Sequence, residues 1–156
     1  MNDVNFFFGA IQSGEKDRVA VLLKLHPELV NSKDARGFTP LIFASYFDKK
    51  DIVETLIDFN AEIDAFDGSG NTALIGVAFK GNTDLAKILI GKGAAIDAKN
   101  NNGVTPLIFA TMYNKIKMVA LLLQHNANAA IKDNEGRLAL DYAKEKGFTE
   151  ILGLLE

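Results

Sequence analysis

The chain of 156 residues contains no cysteine. That excludes a disulfide scaffold, a cysteine-ligated metal site and a thiol nucleophile. It leaves the redox compartment open, because a chain without thiols is equally at ease in reducing and oxidising surroundings. Blocks of Lys and Arg are also missing, and the formal net charge is −3. A nucleic-acid surface normally shows a basic stripe, so that partner class is not expected. No apolar run is long enough to span a bilayer: "ALIGVAF" is among the longest. The opening "MNDVNFFFGAI" carries an acid where a secretory leader carries positive charge. The expected location is therefore cytoplasmic, with a periplasmic or secreted one open if a leader was removed.

What is present is a balance of 48% apolar and 24% charged residues, which suits a soluble globular chain of about one domain. The sequence also repeats itself. "GFTPLIFASYF" begins at Gly37 and "GVTPLIFATMY" at Gly103, with a looser copy, "GNTALIGVAFK", at Gly70. Gly37, Gly70, Gly103 and Gly136 stand 33 residues apart. Asp34, Asp67, Asn100 and Asp133 precede them by three residues, and Leu41, Leu74, Leu107 and Leu140 follow by four. A fixed period of this length is the signature of a stacked repeat.

Each unit reads mechanically. The Asx side chain can accept from the backbone two residues on, and glycine supplies positive φ, so the unit opens with a tight turn. Thr39 and Thr105 are placed as helix N-caps, with Pro40 and Pro106 at the first helical position, where the missing N–H costs nothing. The short helix "PLIFASYF" or "PLIFATMY" follows. A second helix comes after a brief turn, as in Asp51 to Asp58 and Lys117 to Gln124. Its Ile52, Val53, Leu56 and Ile57 recur at helical spacing and require a core. Asn60, Gly93 and Asn126 close the second helices where a left-handed residue is wanted. An extended return, "AEIDAF" or "AAIDAK", leads to the next turn.

These motifs resemble the ankyrin repeat family. The resemblance rests on "DARGFTPLIFA", "DGSGNTALIGVA" and "NNNGVTPLIFA", on the second-helix pattern, and on "NAEIDA", "GAAIDA" and "NANAAI". It covers nearly the whole chain. It implies an all-α fold, an ankyrin-repeat solenoid of stacked helix-turn-helix units with short β-turn or hairpin-like loops. One domain over 1–156 would hold units 1–33, 34–66, 67–99, 100–132 and 133–156, the first and last acting as caps. The family usually has His after the repeat leucine, where this chain has Ile42, Ile75, Ile108 and Asp141. Ala73 stands for proline in the third unit, and Gly76 lies inside its first helix, which makes that unit the expected soft place. In "NFFFGAIQSG", Phe7 is expected in the core, leaving Phe6 or Phe8 partly exposed.

Residues for catalysis are sparse. His26 and His125 both sit at the ends of second helices, and no ligand spacing supports a metal there. Asp64 and Asp97 hold equivalent places in return loops and read as framework residues. "GSGN" at 68–71 and "GKGA" at 91–94 fall at repeat punctuation and lack the spacing of a phosphate loop. No enzyme activity, cofactor or metal is expected.

The family resemblance implies instead that the turn tips and the outer faces of the first helices read a protein partner. Carried over by position, the candidate contacts are Arg36, Phe38, Tyr46, Phe47, Phe66, Phe79, Lys80, Val104, Met112, Tyr113 and Arg137. The proposed anchors among them are Tyr46, Phe79, Met112 and Tyr113. Five units at about 10 Å each would make a concave strip of roughly 40–50 Å. Such a strip can support about 800 Å² per partner. The alternatives are an inhibitor or immunity-type protein that blocks an enzyme through its charged C-terminal end, or a self-associating scaffold. The expected partner is an unidentified protein, with no nucleic acid and no membrane, and the chain itself a monomer or weakly self-associating.

Overall fold

A computed structural model describes residues 3–156. Met1 and Asn2, part of the expected first unit and of the opening segment weighed as a leader, lie outside the described residues. Among the described residues there are ten α-helices: α1 Asp3–Gln12, α2 Lys16–Leu25, α3 Pro40–Tyr46, α4 Lys50–Asp58, α5 Ala73–Lys80, α6 Thr83–Gly91, α7 Pro106–Met112, α8 Ile116–Gln124, α9 Ala139–Lys146 and α10 Thr149–Leu155. A 3-10 helix, Pro27–Asn31, fills the longer first loop, and one β-bridge joins Phe66 to Thr72. None of these helices is long and apolar enough to cross a membrane.

The helices begin and end where local chemistry dictates. The Thr39 hydroxyl accepts from the Ile42 N–H at 3.2 Å, and Thr105 does the same for Ile108 at 3.2 Å, each with proline next in line. These bonds satisfy donors that a helix start leaves without partners. Asn82 supplies the same cap to α6 through the Leu85 N–H. Asn60, Gly93 and Asn126 adopt φ of 68°, 95° and 66°, the left-handed ends expected of them. The second helices start one residue earlier than expected, at Lys50 and Ile116. The return segments are not extended throughout. Each contains a turn, closed by Ala65 N–H to the Glu62 carbonyl and by Ala98 N–H to the Ala95 carbonyl, both at 3.3 Å.

The chain divides into two compact units, one ending at Ala73 and the other Leu74–Glu156, so the division falls at the first residue of α5. In the first unit α1 packs on α2 and α3, and α4 packs on α2 and α3. Phe7, Ile11, Leu23, Leu41, Ile52 and Leu56 are fully buried there. Of the three consecutive phenylalanines, Phe7 and Phe8 are buried and Phe6 is exposed. In the second unit α7 packs on α8 and α9, and α10 on α8 and α9. Leu85, Leu89, Leu107 and Ile108 are fully buried, and each such side chain stabilises the fold by about 1.5–3 kcal/mol. First helices thus stack on first helices within each unit, which lines up their outer faces.

Candidate protein-binding surface

The turn tips are built by one device used repeatedly. The Asp34 carboxylate accepts from the Arg36 and Phe38 N–H groups at 2.9 Å each, and Asp34 N–H donates to the Phe38 carbonyl at 3.0 Å. Asn100 holds Asn102 and Val104 in the same way, and Asp133 holds Glu135 and Arg137. Burial alone raises the Asp34 pKa. The bonds from Phe38 and Arg36, together with the Arg36 charge, outweigh it and hold the carboxyl below the ordinary aspartate value. Asp133 is lowered likewise, its burial being outweighed by the Tyr142 hydroxyl and two backbone N–H groups.

The turn-tip side chains are less free than their positions suggest. Arg36 is exposed, but it pairs with Asp34 at 2.9 Å and lies over the Phe38 ring at 4.4 Å. Arg137 is half-buried, ion-paired with Glu145 and stacked over Tyr142 at 4.2 Å. Phe66 is exposed beside the bridge to Thr72. Val104, also at a turn tip, is the most buried of these side chains. It is only 6% exposed, so most of its side chain lies in the core.

The outer faces of the first helices carry two aromatic clusters. In the first unit Phe8 meets Phe43 edge-on at 5.1 Å, Phe43 lies 4.7 Å from Phe47, and Phe47 lies 5.2 Å from Tyr46. Phe47 is half-buried and Tyr46 is 48% exposed. In the second unit Phe79 meets Tyr113 edge-on at 4.6 Å and Phe109 at 5.6 Å, while Phe109 and Tyr113 are 6.0 Å apart. Phe79 and Tyr113 are 38% and 47% exposed, and Met112 is half-buried. The rings therefore pack on one another, Phe8 and Phe43 within the core, while Tyr46, Phe79 and Tyr113 face solvent. Phe43 and Phe109 belong to these clusters but were not among the expected contacts. Their signal was present in the sequence, since each stands four residues before the next aromatic on its helix side, Phe47 and Tyr113.

The profile of a family described as "Ankyrin repeats (3 copies)" matches residues 7–100 and again 74–155. The chain belongs to the ankyrin-repeat family. Its fold class is the all-α one of stacked ankyrin helix pairs, and ankyrin repeats are in general modules of protein–protein interaction. The departures from the usual ankyrin pattern are explained by burial. Ile42, Ile75 and Ile108, in place of histidine, are buried apolar side chains, so packing replaces imidazole hydrogen bonds there. In the last repeat Asp141 turns its carboxylate back to the Leu138 N–H at 2.8 Å, half of a capping box at a helix whose leading residue has no side-chain acceptor.

The remaining polar candidates fit the ankyrin framework. His26 and His125 are the C-cap residues of α2 and α8. Asp97 accepts the Asn128 N–H at 2.9 Å, tying one return loop to the next, as Asn31 does for Glu62 at 3.0 Å. No group of three or more His, Asp or Glu side chains suited to a metal occurs among the described residues.

Proposed function

We propose that this ankyrin domain is a non-catalytic binding module that engages a partner protein through the outer face of its first helices. The observation that supports this reading is the Phe79–Phe109–Tyr113 cluster, whose rings are held at 4.6–6.0 Å from one another while Phe79 and Tyr113 stay more than a third exposed. Contiguous exposed aromatic surface marks interaction sites more often than solitary apolar residues do. Mutual packing matters for affinity as well. Rings already fixed by their neighbours lose little rotamer freedom on binding, where each mobile side chain costs about 0.5–1.5 kcal/mol. Tyr, Phe and Met are also the residue types enriched in interface cores. In the first unit Tyr46 and the half-buried Phe47, packed on the buried Phe43, offer a second, smaller surface.

The test is affinity capture from lysate with the wild-type chain and with Phe79→Ala/Tyr113→Ala, after circular dichroism and urea unfolding show both variants folded. A protein retained by the wild type and lost by the variant supports the reading. Identical captured proteins would move function off this face. Should capture depend instead on Arg137 and the charged residues of α9, the blocking-inhibitor alternative would replace it.

A further inference from the structure

The charges around the second-unit cluster are not balanced. Helices α5 and α7 carry no acidic residue. On α9, Asp141 is engaged by the Leu138 N–H and Glu145 by Arg137. Lys80 follows Phe79 directly and is exposed at the end of α5. Lys146 reaches the Met112 carbonyl at 3.0 Å, and its Nζ lies 5.9 Å from the centre of the Tyr113 ring. One bond to a carbonyl leaves an ammonium group with two further N–H donors. Lys80 also borders an open depression shared with Lys115, Lys117 and Glu150, three lysines to one carboxylate. A chain of net charge −3 therefore presents a local positive excess beside its exposed rings.

We infer that the occupant of this patch is an acidic segment of a partner protein, carrying an aromatic or branched aliphatic anchor with Asp or Glu close to it in sequence. This rests on the protein-binding reading above and adds the chemistry of the partner. The anchor lies on Phe79, Phe109 and Tyr113, and the flanking carboxylates reach Lys80 and Lys146. Opposite charge steers such a segment to the patch, speeds association and discriminates against basic or neutral competitors. A basic segment would meet like charges beside the rings.

The test is selection of short random peptides by display on the immobilised full chain. Enriched peptides are then measured on the wild type, Lys80→Glu and Phe79→Ala/Tyr113→Ala. The expected pool is rich in Asp and Glu around Leu, Ile, Phe or Trp. Its members lose binding to the aromatic variant, weaken about tenfold on Lys80→Glu, and weaken with added salt as exposed charge pairs do. A pool that needs Phe79 and Tyr113 but shows no acidic preference, and is indifferent to Lys80→Glu, overturns the acidic partner and leaves protein binding at the patch standing. A pool indifferent to Phe79 and Tyr113, or no pool at all, overturns both. If unlabelled chain displaces the peptides and sediments as a dimer, the occupant is a second copy and the acidic-partner inference fails.

Discussion

The Tyr142 hydroxyl donates to the Asp133 carboxylate, joining the first helix of the last repeat to the turn that introduces it. The same carboxylate accepts from Glu135 N–H at 2.9 Å and Arg137 N–H at 3.0 Å. Burial and the adjacent carboxylate together push the Tyr142 pKa up to about 12, from 10.0. The neutral tyrosine is thus the form the fold favours. Its contribution is complete below pH 10 and is lost as pH rises toward 12. Asp133 works at the other end. Its pKa is lowered, so its contribution is present above its ordinary 3.8 and fades as pH falls through the folded value. Tyr142→Phe should therefore cost about 1–2 kcal/mol at neutral pH. Urea unfolding of wild type and variant against pH should show that gap closing above pH 10, and closing again in strong acid. A gap that stays constant between neutral pH and about 12 would refute the coupling.

Gly103 and Gly136 occupy the same turn position with φ of 75° and 76°, yet their surroundings differ. A methyl on Gly103 would stand 2.8 Å from the Asn134 nitrogen and 2.5 Å from its Oδ1, whereas one on Gly136 would meet nothing within 4 Å. The crowding at Gly103 arises because Asn134 bonds the preceding turn through the Asn102 carbonyl at 3.0 Å and the Asn101 carbonyl at 2.9 Å. Gly136→Ala should cost only the left-handed conformation, about 1–2 kcal/mol. Gly103→Ala should cost that plus about 1–3 kcal/mol of overpacking. Denaturation midpoints of the two variants check this directly, and equal losses would remove the turn-to-turn contact from the account.

Much of this was legible in the sequence because it is local. A turn glycine, an Asx acceptor three residues before it and a Thr-Pro helix start act within a few residues, and the 33-residue period multiplies the signal. What was not legible depends on neighbours. Three consecutive phenylalanines spread over more than half of a helix circumference, so Phe6 and Phe8 could be told apart only once Phe43 was found packed on Phe8. Val104 stands at a turn tip, where its repeat equivalents include Phe38 and Arg137. Those two are half-buried, and the shorter apolar side chain sinks further. Phe43 and Phe109 occupy the same repeat position, yet Phe43 is buried and Phe109 half-buried, because helical spacing alone does not say which apolar face meets another helix and which meets solvent.

Gly76 lies in the interior of α5, and a methyl placed there would meet nothing within 4 Å. No turn and no close approach requires glycine at this position. Gly76→Ala should therefore stabilise the protein by about 1 kcal/mol, through the lower conformational entropy of the unfolded chain and the better helix propensity of alanine. A raised urea midpoint with unchanged slope is the expected result. A loss of stability would mean that the open space beside Gly76 is needed by a side chain that moves into it.

Ser45 and Thr111 stand at the same place in two repeats and differ in how their hydroxyls are satisfied. The Thr111 hydroxyl donates to the Leu107 carbonyl one turn earlier at 2.8 Å. The Ser45 hydroxyl, 2% exposed, has no hydrogen-bond partner among the described residues. A buried hydroxyl without a partner carries a desolvation penalty of about 1–3 kcal/mol, whereas removing the group altogether is nearly neutral or favourable. Ser45→Ala should thus raise stability by up to about 1 kcal/mol, the small void of one oxygen offsetting part of the gain. Thr111→Val, which keeps the shape and removes the bond, should lower it by about 0.5–1.5 kcal/mol. Urea midpoints moving in opposite directions at equivalent positions would establish that hydrogen bonding, and not side-chain volume, sets the preference in this layer of the stack. A fall for both would show that the Ser45 hydroxyl is satisfied in solution.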